Sequence, residues 1–369
     1  MLNTSVYKER VSALKDFIMS MNSDVAFVTP SPTFQYLTGL EYEMRERLVA
    51  LIIQSDEDPI LIVPNFELLE ISQRTWIDDF IPWSEEEDPY RLIGQTIDAE
   101  SDGPHIALDE NMTLGIFWNL KKALGGFAST ISLTPLVDDM RLTKSKDEVE
   151  LMKKAGRVIE EAVMNALRSA EKGMTERHLK QIVENVIIES GAEPTFAAVQ
   201  FGENSALPHA EPSNRGLEDK DIILLDCGCA VDGYNTDMTR VGVVGEPTEK
   251  QLEVYNVVVK AQKAALEELG PGIRCESADG IARRIIESEG YGKYFTHRLG
   301  HGIGLQVHEP PYLVRGNSLE LAPGMTHSIE PGIYLPGEFG IRMEDLVCIT
   351  EEGLEILTYA PGDLAIIEG

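Results

Sequence analysis

Apolar residues recur every three or four positions from Tyr7 to Met21, the spacing of an amphipathic helix, and the short apolar run Val25 to Val28 after it predicts a buried strand. Two further apolar runs, Leu48 to Gln54 and Ile60 to Val63, flank the polar turn Ser55-Asp56-Glu57-Asp58 and predict a hairpin. Helical spacing returns at Pro89 to Ile97 and Leu114 to Ala123, with strand-like runs at His105 to Leu108 and Ser129 to Leu133. This alternation predicts an α/β domain over residues 1–138. It carries no Gly-rich phosphate loop and no Cys or His cluster, and so offers no chemistry of its own.

The pattern changes at Met140 to Lys146. Ser145 followed by Glu148 forms a capping box that opens a long periodic helix towards Glu171, and a second domain is expected over residues 139–369. Within it one order of elements occurs twice: helix, helix, then a hairpin rich in carboxylates. The first copy has helices at Lys146 to Glu171 and Thr175 to Ser190, then strands at Ile222 to Asp226 and Asp237 to Val243. The second has helices at Glu249 to Leu269, opened by the Thr248/Gln251 capping box, and at Ser277 to Ser288. Strands then run up to Glu330 and from Ile341 to Ile349. Such a repeat predicts a pseudo-symmetric domain with its site where the halves meet.

Composition narrows the classes of function. The chain has 369 residues, with 62 Asp+Glu against 32 Lys+Arg and a net charge of −30, so nucleic acid and anionic membranes are not expected partners. The longest unbroken apolar run, Leu48 to Ile53, is far too short to span a bilayer, and charges at Lys8, Glu9, Arg10, Lys15 and Asp16 interrupt any signal-peptide pattern. Cys227, Cys229, Cys275 and Cys348 lack paired metal-site spacing and read as core residues of a cytoplasmic protein.

Candidate chemistry lies in the two hairpins. If Asp232-Gly233 forms the first turn, Gly228 pairs with Asp237, and Asp226 falls on the same face, diagonal to Asp237. A three-residue loop at Pro336 to Glu338 places Glu330 opposite Glu344 in the second. Converging carboxylates beside apolar runs are costly unless protons or cations compensate. Between the hairpins, His301 stands with glycine on each side, which permits close backbone approach and unusual dihedrals around an imidazole. One nitrogen and several oxygens make a donor set for a two-metal hydrolytic site. His308 follows seven residues on, and His209 lies in a Gly/Asn/Pro-containing loop.

These stretches resemble the creatinase/aminopeptidase P/prolidase/methionine aminopeptidase group of pita-bread-fold metallopeptidases. The resemblance rests on Asp226 in Leu-Asp-Cys-Gly-Cys, Asp237 in Asn-Thr-Asp-Met-Thr-Arg, His301 in Gly-His-Gly-Ile-Gly, Glu330 in Ser-Ile-Glu-Pro-Gly-Ile-Tyr and Glu344 in Ile-Arg-Met-Glu-Asp. It implies an α/β N-terminal domain of the creatinase/prolidase type, serving substrate restriction and dimerisation, before an α+β pita-bread catalytic domain with an internal pseudo-twofold repeat. The five named residues would hold two divalent ions, Mn²⁺ foremost with Co²⁺ or Zn²⁺ as alternatives, and water between the ions would attack the peptide carbonyl. Glu330 would carry the proton to the leaving nitrogen, His308 would stabilise the tetrahedral intermediate or orient the scissile carbonyl, and His209 would line the pocket near the leaving residue. Arg342 would hold a ligand or substrate carboxylate, and Tyr234 would reach the substrate. His327 replaces an apolar residue common before Ser-Ile-Glu-Pro.

The implied activity is cleavage of Xaa-Pro dipeptides by a cytoplasmic homodimer acting on short proline-containing peptides. Release of the N-terminal residue from longer Xaa-Pro peptides is the alternative. A metal-dependent hydrolase or lyase of a small non-peptide substrate would use the same ligands. A metal-free, creatinase-like amidinohydrolase or a binding module would be expected to have lost some of them.

Overall fold

A computed structural model describes residues 2–97, 103–208 and 210–368. The chain forms two compact units, Met1–Met140 and Arg141–Gly369. Among the described residues no helix is long and apolar enough to cross a membrane.

The first unit runs α1 (Thr4–Ser20), β1 (Val25–Val28), α2 (Pro32–Thr38), β2 (Ala50–Gln54), β3 (Ile60–Pro64), α3 (Leu68–Ser72), β4 (Asp79–Trp83), α4 (Pro89–Thr96), β5 (His105–Leu108), α5 (Leu114–Ala123) and β6 (Ser129–Ser132), and α6 (Thr134–Leu142) follows. Its 6-stranded sheet has the order β4-β3-β2-β1-β5-β6. The predicted hairpin is the antiparallel pair β2–β3, while β5 and β6 join in parallel. Val25, Phe27, Ile52, Ile62, Ile93 and Leu120 form its core, so the apolar runs mark the strands buried by α4 and α5.

The second unit begins with α7 (Lys146–Ser169), where the Ser145/Glu148 capping box makes both of its reciprocal bonds. Next come α8 (Glu176–Glu189), β7 (Glu193–Phe201), β8 (Ile222–Val231) and β9 (Tyr234–Val244). The second copy has α9 (Glu249–Glu268), capped by Thr248 and Gln251, and α10 (Cys275–Ser288). Its strands are β10 (Gly300–Gly302), β11 (Glu309–Leu313), β12 (Thr326–Ile329), β13 (Gly332–Leu335), β14 (Phe339–Arg342), β15 (Asp345–Ile349) and β16 (Leu354–Ile356), with β17 (Ala365–Ile367) last. They build a 4-stranded sheet β17-β9-β8-β7, a 5-stranded sheet β11-β10-β12-β15-β16 and the two-stranded ribbon β13–β14. Helices α7 and α8 bury Ile159, Val163, Leu179 and Val183 against Ile223, Leu225 and Cys227. Helices α9 and α10 bury Val254, Val258, Ala278 and Ile286 with Ile329, Ile341 and Val347. Each helix pair thus covers the back of a carboxylate-bearing hairpin, and the other faces of the hairpins turn inward.

Candidate metal centre

The β8–β9 hairpin closes at Val231↔Tyr234, and Asp232 and Gly233 both have positive φ, 48° and 79°. This is the turn that matches strand twist, and it sets Gly228 opposite Asp237. Ile223, Leu225, Cys227 and Cys229 point to α7 and α8, so strand alternation turns Asp226 to the opposite face with Asp237. The second hairpin keeps one register across a break: Ile329 pairs with Asp345 in one sheet and Gly332 with Arg342 in the ribbon. Glu330 and Glu344 face each other in the gap, where neither backbone is committed to a ladder. A bond from the Glu344 N–H to the Thr239 carbonyl (3.3 Å) seats this hairpin against β9.

His301 enters from β10, which lies between β11 and β12. Neither flanking glycine has a positive φ. Their role is approach: a methyl on Gly300 would overlap the Ser328 carbonyl, and one on Gly302 the Pro310 carbonyl. The His301 Nδ1 lies 3.1 Å from the Gly302 carbonyl, which only accepts, so the proton sits on Nδ1 and the Nε2 lone pair is left facing inward. That Nε2 is 3.3 Å from Glu330 Oε1 and 3.8 Å from Asp237 Oδ2. Burial, reinforced by the neighbouring His308, lowers the His301 pKa to about 3, so the ring is neutral and its Nε2 lone pair is free of a proton.

The carboxylates show the cost of this convergence. Burial, then the charges of Glu344, Asp226 and Glu330, pushes Asp237 well above the usual range. Burial followed by Glu330 and Asp226 does the same to Glu344, and burial raises Glu330 to about 7. Asp226 Oδ1, Asp237 Oδ1 and Glu344 Oε1 are buried with no hydrogen-bond partner. Donor atoms of Asp237, His301 and Glu344 all lie within 4.8 Å of one another. Orphaned carboxylate oxygens in a cluster with an imidazole lone pair are what a divalent cation satisfies, and the donor set fits one.

Around these donors lies a scaffold of polar groups. Arg342 donates to Asp226, to Tyr334 Oη at 2.7 Å and to Thr239 Oγ1 at 3.1 Å, while Thr239 Oγ1 donates to Glu344 Oε2 at 2.7 Å. Its guanidinium is therefore committed to a candidate ligand rather than presented to substrate. Tyr334 passes its own hydrogen to His297 Nε2 (2.8 Å), whose Nδ1–H goes to the Arg298 carbonyl (2.7 Å). Ser328 Oγ accepts from the His301 N–H and donates to Glu330 Oε1 at 3.1 Å. A cleft of about 790 Å³ opens on the cluster, lined by Asp226, Asp237, His301, His308, Glu330 and Arg342 among others.

His308 sits edge-on to His301, ring centroids 4.2 Å apart, and is exposed to the cleft. The expectation that Tyr234 reaches substrate is corrected. It lies an odd number of residues from Asp237, so it occupies the opposite face of β9, buried, with its hydroxyl on Glu148 Oε1 at 2.7 Å. His209 lies outside the described residues. Sequence reasoning passed over His297 and Tyr334, both on the cleft wall. Tyr334 shares parity with Glu330, a signal the strand pattern contained. His297 precedes His301 by four residues in an irregular segment and had no such signal.

The model of metallopeptidase family M24 matches residues 150–351, and that of the creatinase/prolidase N-terminal domain matches residues 10–143. An Xaa-Pro dipeptidase of Lactobacillus helveticus is 35% identical over 359 residues, 96% of this chain and 98% of that protein. The crystal structure of a prolidase from Thermococcus sibiricus superposes with a TM-score of 0.93 at 34% identity, covering 100% of each chain. An X-Pro aminopeptidase from Thermotoga maritima gives 0.86 at 30% identity, covering 97% of this chain and 99% of its own. With the carboxylate–histidine cluster lying inside the matched segment, the chain belongs to metallopeptidase family M24, a divalent-metal-binding pita-bread enzyme preceded by a creatinase/prolidase N-terminal domain.

Proposed function

We propose that this enzyme hydrolyses the Xaa-Pro bond of dipeptides, as its Lactobacillus helveticus relative is named for doing. The observation that carries the reading is the convergence of Asp237, Glu344 and Glu330 on the neutral His301 Nε2, with Asp226 beside them and partnerless buried oxygens, in one cleft. Two divalent ions held by these five residues would supply Lewis-acid polarisation of the scissile carbonyl and acidification of water. An oxygen-rich set with one imidazole suits Mn²⁺.

The chain's own groups do the rest. Glu330, anchored by Ser328, takes the proton from the attacking water and returns it to the leaving nitrogen. His308, exposed beside His301, donates to the carbonyl oxygen as it gains charge. Arg342 and Thr239 hold Asp226 and Glu344 in place, so the donor set needs little reorganisation when cations bind. His209 belongs to the same proposal as a contact of the leaving residue.

Likeness to the Thermotoga maritima aminopeptidase favours a second reading, removal of the N-terminal residue from longer Xaa-Pro peptides. A homodimer whose N-terminal domain restricts substrate length fits either reading. Cytoplasmic residence is in keeping with cysteines that are all free and buried. The test is turnover of Ala-Pro, Ala-Pro-Ala and Ala-Ala by Mn²⁺-loaded protein. Fast cleavage of Ala-Pro alone supports the dipeptidase, preference for Ala-Pro-Ala supports the second reading, and no cleavage of either proline peptide refutes both.

A further inference from the structure

We infer that Lys180 is a specificity-determining residue, its ammonium receiving the terminal carboxylate of a substrate that ends one residue beyond the scissile bond. The inference rests on the peptidase reading above.

The wall of the cleft away from the ligand cluster is made by Thr195 to Ala198 of β7 and by Pro208, Ala210, Glu211 and Pro212. Strand β7 is the edge of its sheet, and Ala198 pairs with Asp226, so the wall is the strand next to the one that carries that carboxylate, about 4.8 Å away backbone to backbone. Helix α8 packs on the far face of the sheet through Leu179, Val183 and Ile187. Lys180, next to Leu179, leaves this core at the uncovered edge and lines the cleft. One turn earlier, Arg177 donates to the Pro212 carbonyl at 3.2 Å, which ties the same helix face to the same wall.

Charge makes the position informative. The described lining residues include the acids Asp226, Asp237, Glu330, Glu344 and Glu211, against Lys180 and Arg342 as fixed cations. Arg342 is spent on Asp226, Thr239 and Tyr334. Arg298, whose field reaches Glu330, is stacked on the Tyr312 ring at 4.3 Å. Lys180 has a Glu184 partner at 3.6 Å, with side chains 32% and 34% exposed, a weak surface pair that an entering anion can displace. From the scissile carbonyl to the carboxylate of an Xaa-Pro dipeptide is one residue, about 3.8 Å, so that anion stays within the cleft that Lys180 lines. A third residue would put a neutral amide there and carry the carboxylate further on.

The experiment compares kcat and KM for Ala-Pro, its C-terminal amide Ala-Pro-NH2 and Ala-Pro-Ala in the Mn²⁺-loaded wild type, Lys180→Gln, Lys180→Arg and Arg298→Gln. A charge-assisted hydrogen bond predicts that Lys180→Gln raises KM for Ala-Pro about 10-fold to 100-fold at little-changed kcat. Turnover of the amide is unchanged, and Lys180→Arg recovers most of the loss. An equal loss on acid and amide, no loss on either, a wild type that treats acid and amide alike, or an effect that follows Arg298→Gln instead overturns the assignment to Lys180 while leaving the peptidase reading intact. A wild type that cleaves no proline peptide overturns that reading and this inference with it.

Discussion

Removing the metal should leave a fold that loses stability as pH rises, the reverse of what ion-paired carboxylates ordinarily give. Glu330 has its pKa raised from 4.5 to about 7 by burial, with its side chain only 15% exposed. A folded state with the higher pKa holds its proton more tightly than the unfolded chain. Below about pH 4.5 both states are protonated and Glu330 contributes nothing; between there and pH 7 the unfolded chain ionises first and gains. Above about pH 7 the full cost, about 3 kcal/mol from this residue at 1.36 kcal/mol per pKa unit, is in place. Asp237 and Glu344, also raised, add in the same direction. Against a typical total of about 5–15 kcal/mol this is a large fraction. A bound cation replaces the protons and adds about 2.7 kcal/mol at 100 times its dissociation constant.

The assay is urea unfolding at intervals from pH 5 to 8, with EDTA and with saturating Mn²⁺, in wild type and Glu330→Gln. Trp76, Trp83 and Trp118 all lie in the first unit, so tryptophan fluorescence follows that unit while circular dichroism follows both. The difference between wild type and Glu330→Gln cancels the other acids of the chain. Metal-free stability that is flat or rises over this range, or a fall that persists unchanged with saturating Mn²⁺, would refute the electrostatic account of the site.

Three other outcomes are expected. Arg342→Met leaves Asp226 without its buried counter-charge and should weaken Mn²⁺ binding about 10-fold to 100-fold by calorimetry, with Arg342→Lys recovering only part of it. Gly300→Ala drives a methyl into the Ser328 carbonyl and should destabilise the second unit by about 1–3 kcal/mol, read from urea midpoints. Arg283, paired with Asp279, donates to the carbonyls of Phe295 (3.0 Å) and His297 (2.8 Å); Arg283→Gln should lower kcat more than it raises KM, and an unchanged kcat counts against a positioning role.

The long helices were legible because their first turns carry reciprocal caps: α7 and α9 begin at the residues after Ser145 and Thr248, as the two capping boxes require. Helix α10 starts at Cys275, two residues before its apolar spacing suggested, since Arg274 offers no side-chain cap to mark the end. The elements passed over are short or lie on an edge. Strand β7 reads Glu-Pro-Thr-Phe-Ala-Ala-Val-Gln-Phe, and one of its faces lines a polar cleft, so no clean alternation survives. Strand β10 is Gly-His-Gly, whose extended state comes entirely from β11 and β12 on either side. Helices α2 and α3 are a few residues each and lack a full amphipathic stripe.

In the site, strand parity separates what the pattern could reveal from what it could not. Two-residue alternation puts Asp226 with Gly228 opposite Asp237, and it would have excluded Tyr234 had the odd separation from Asp237 been applied. The same rule carries Tyr334 with Glu330 and Arg342 with Glu344, which explains how the hairpin that supplies two acids also supplies the guanidinium that holds a third and the phenol that accepts from that guanidinium. His297 escapes it, because the Phe295 to Leu299 segment has no ladder of its own. Its geometry is dictated from α10, where Arg283 holds two of its carbonyls and Asp279 Oδ1 takes the Leu299 N–H at 3.0 Å. A carboxylate pair can be read from a turn and a register, whereas an imidazole placed by a distant arginine becomes visible only when the helix and the loop are seen together.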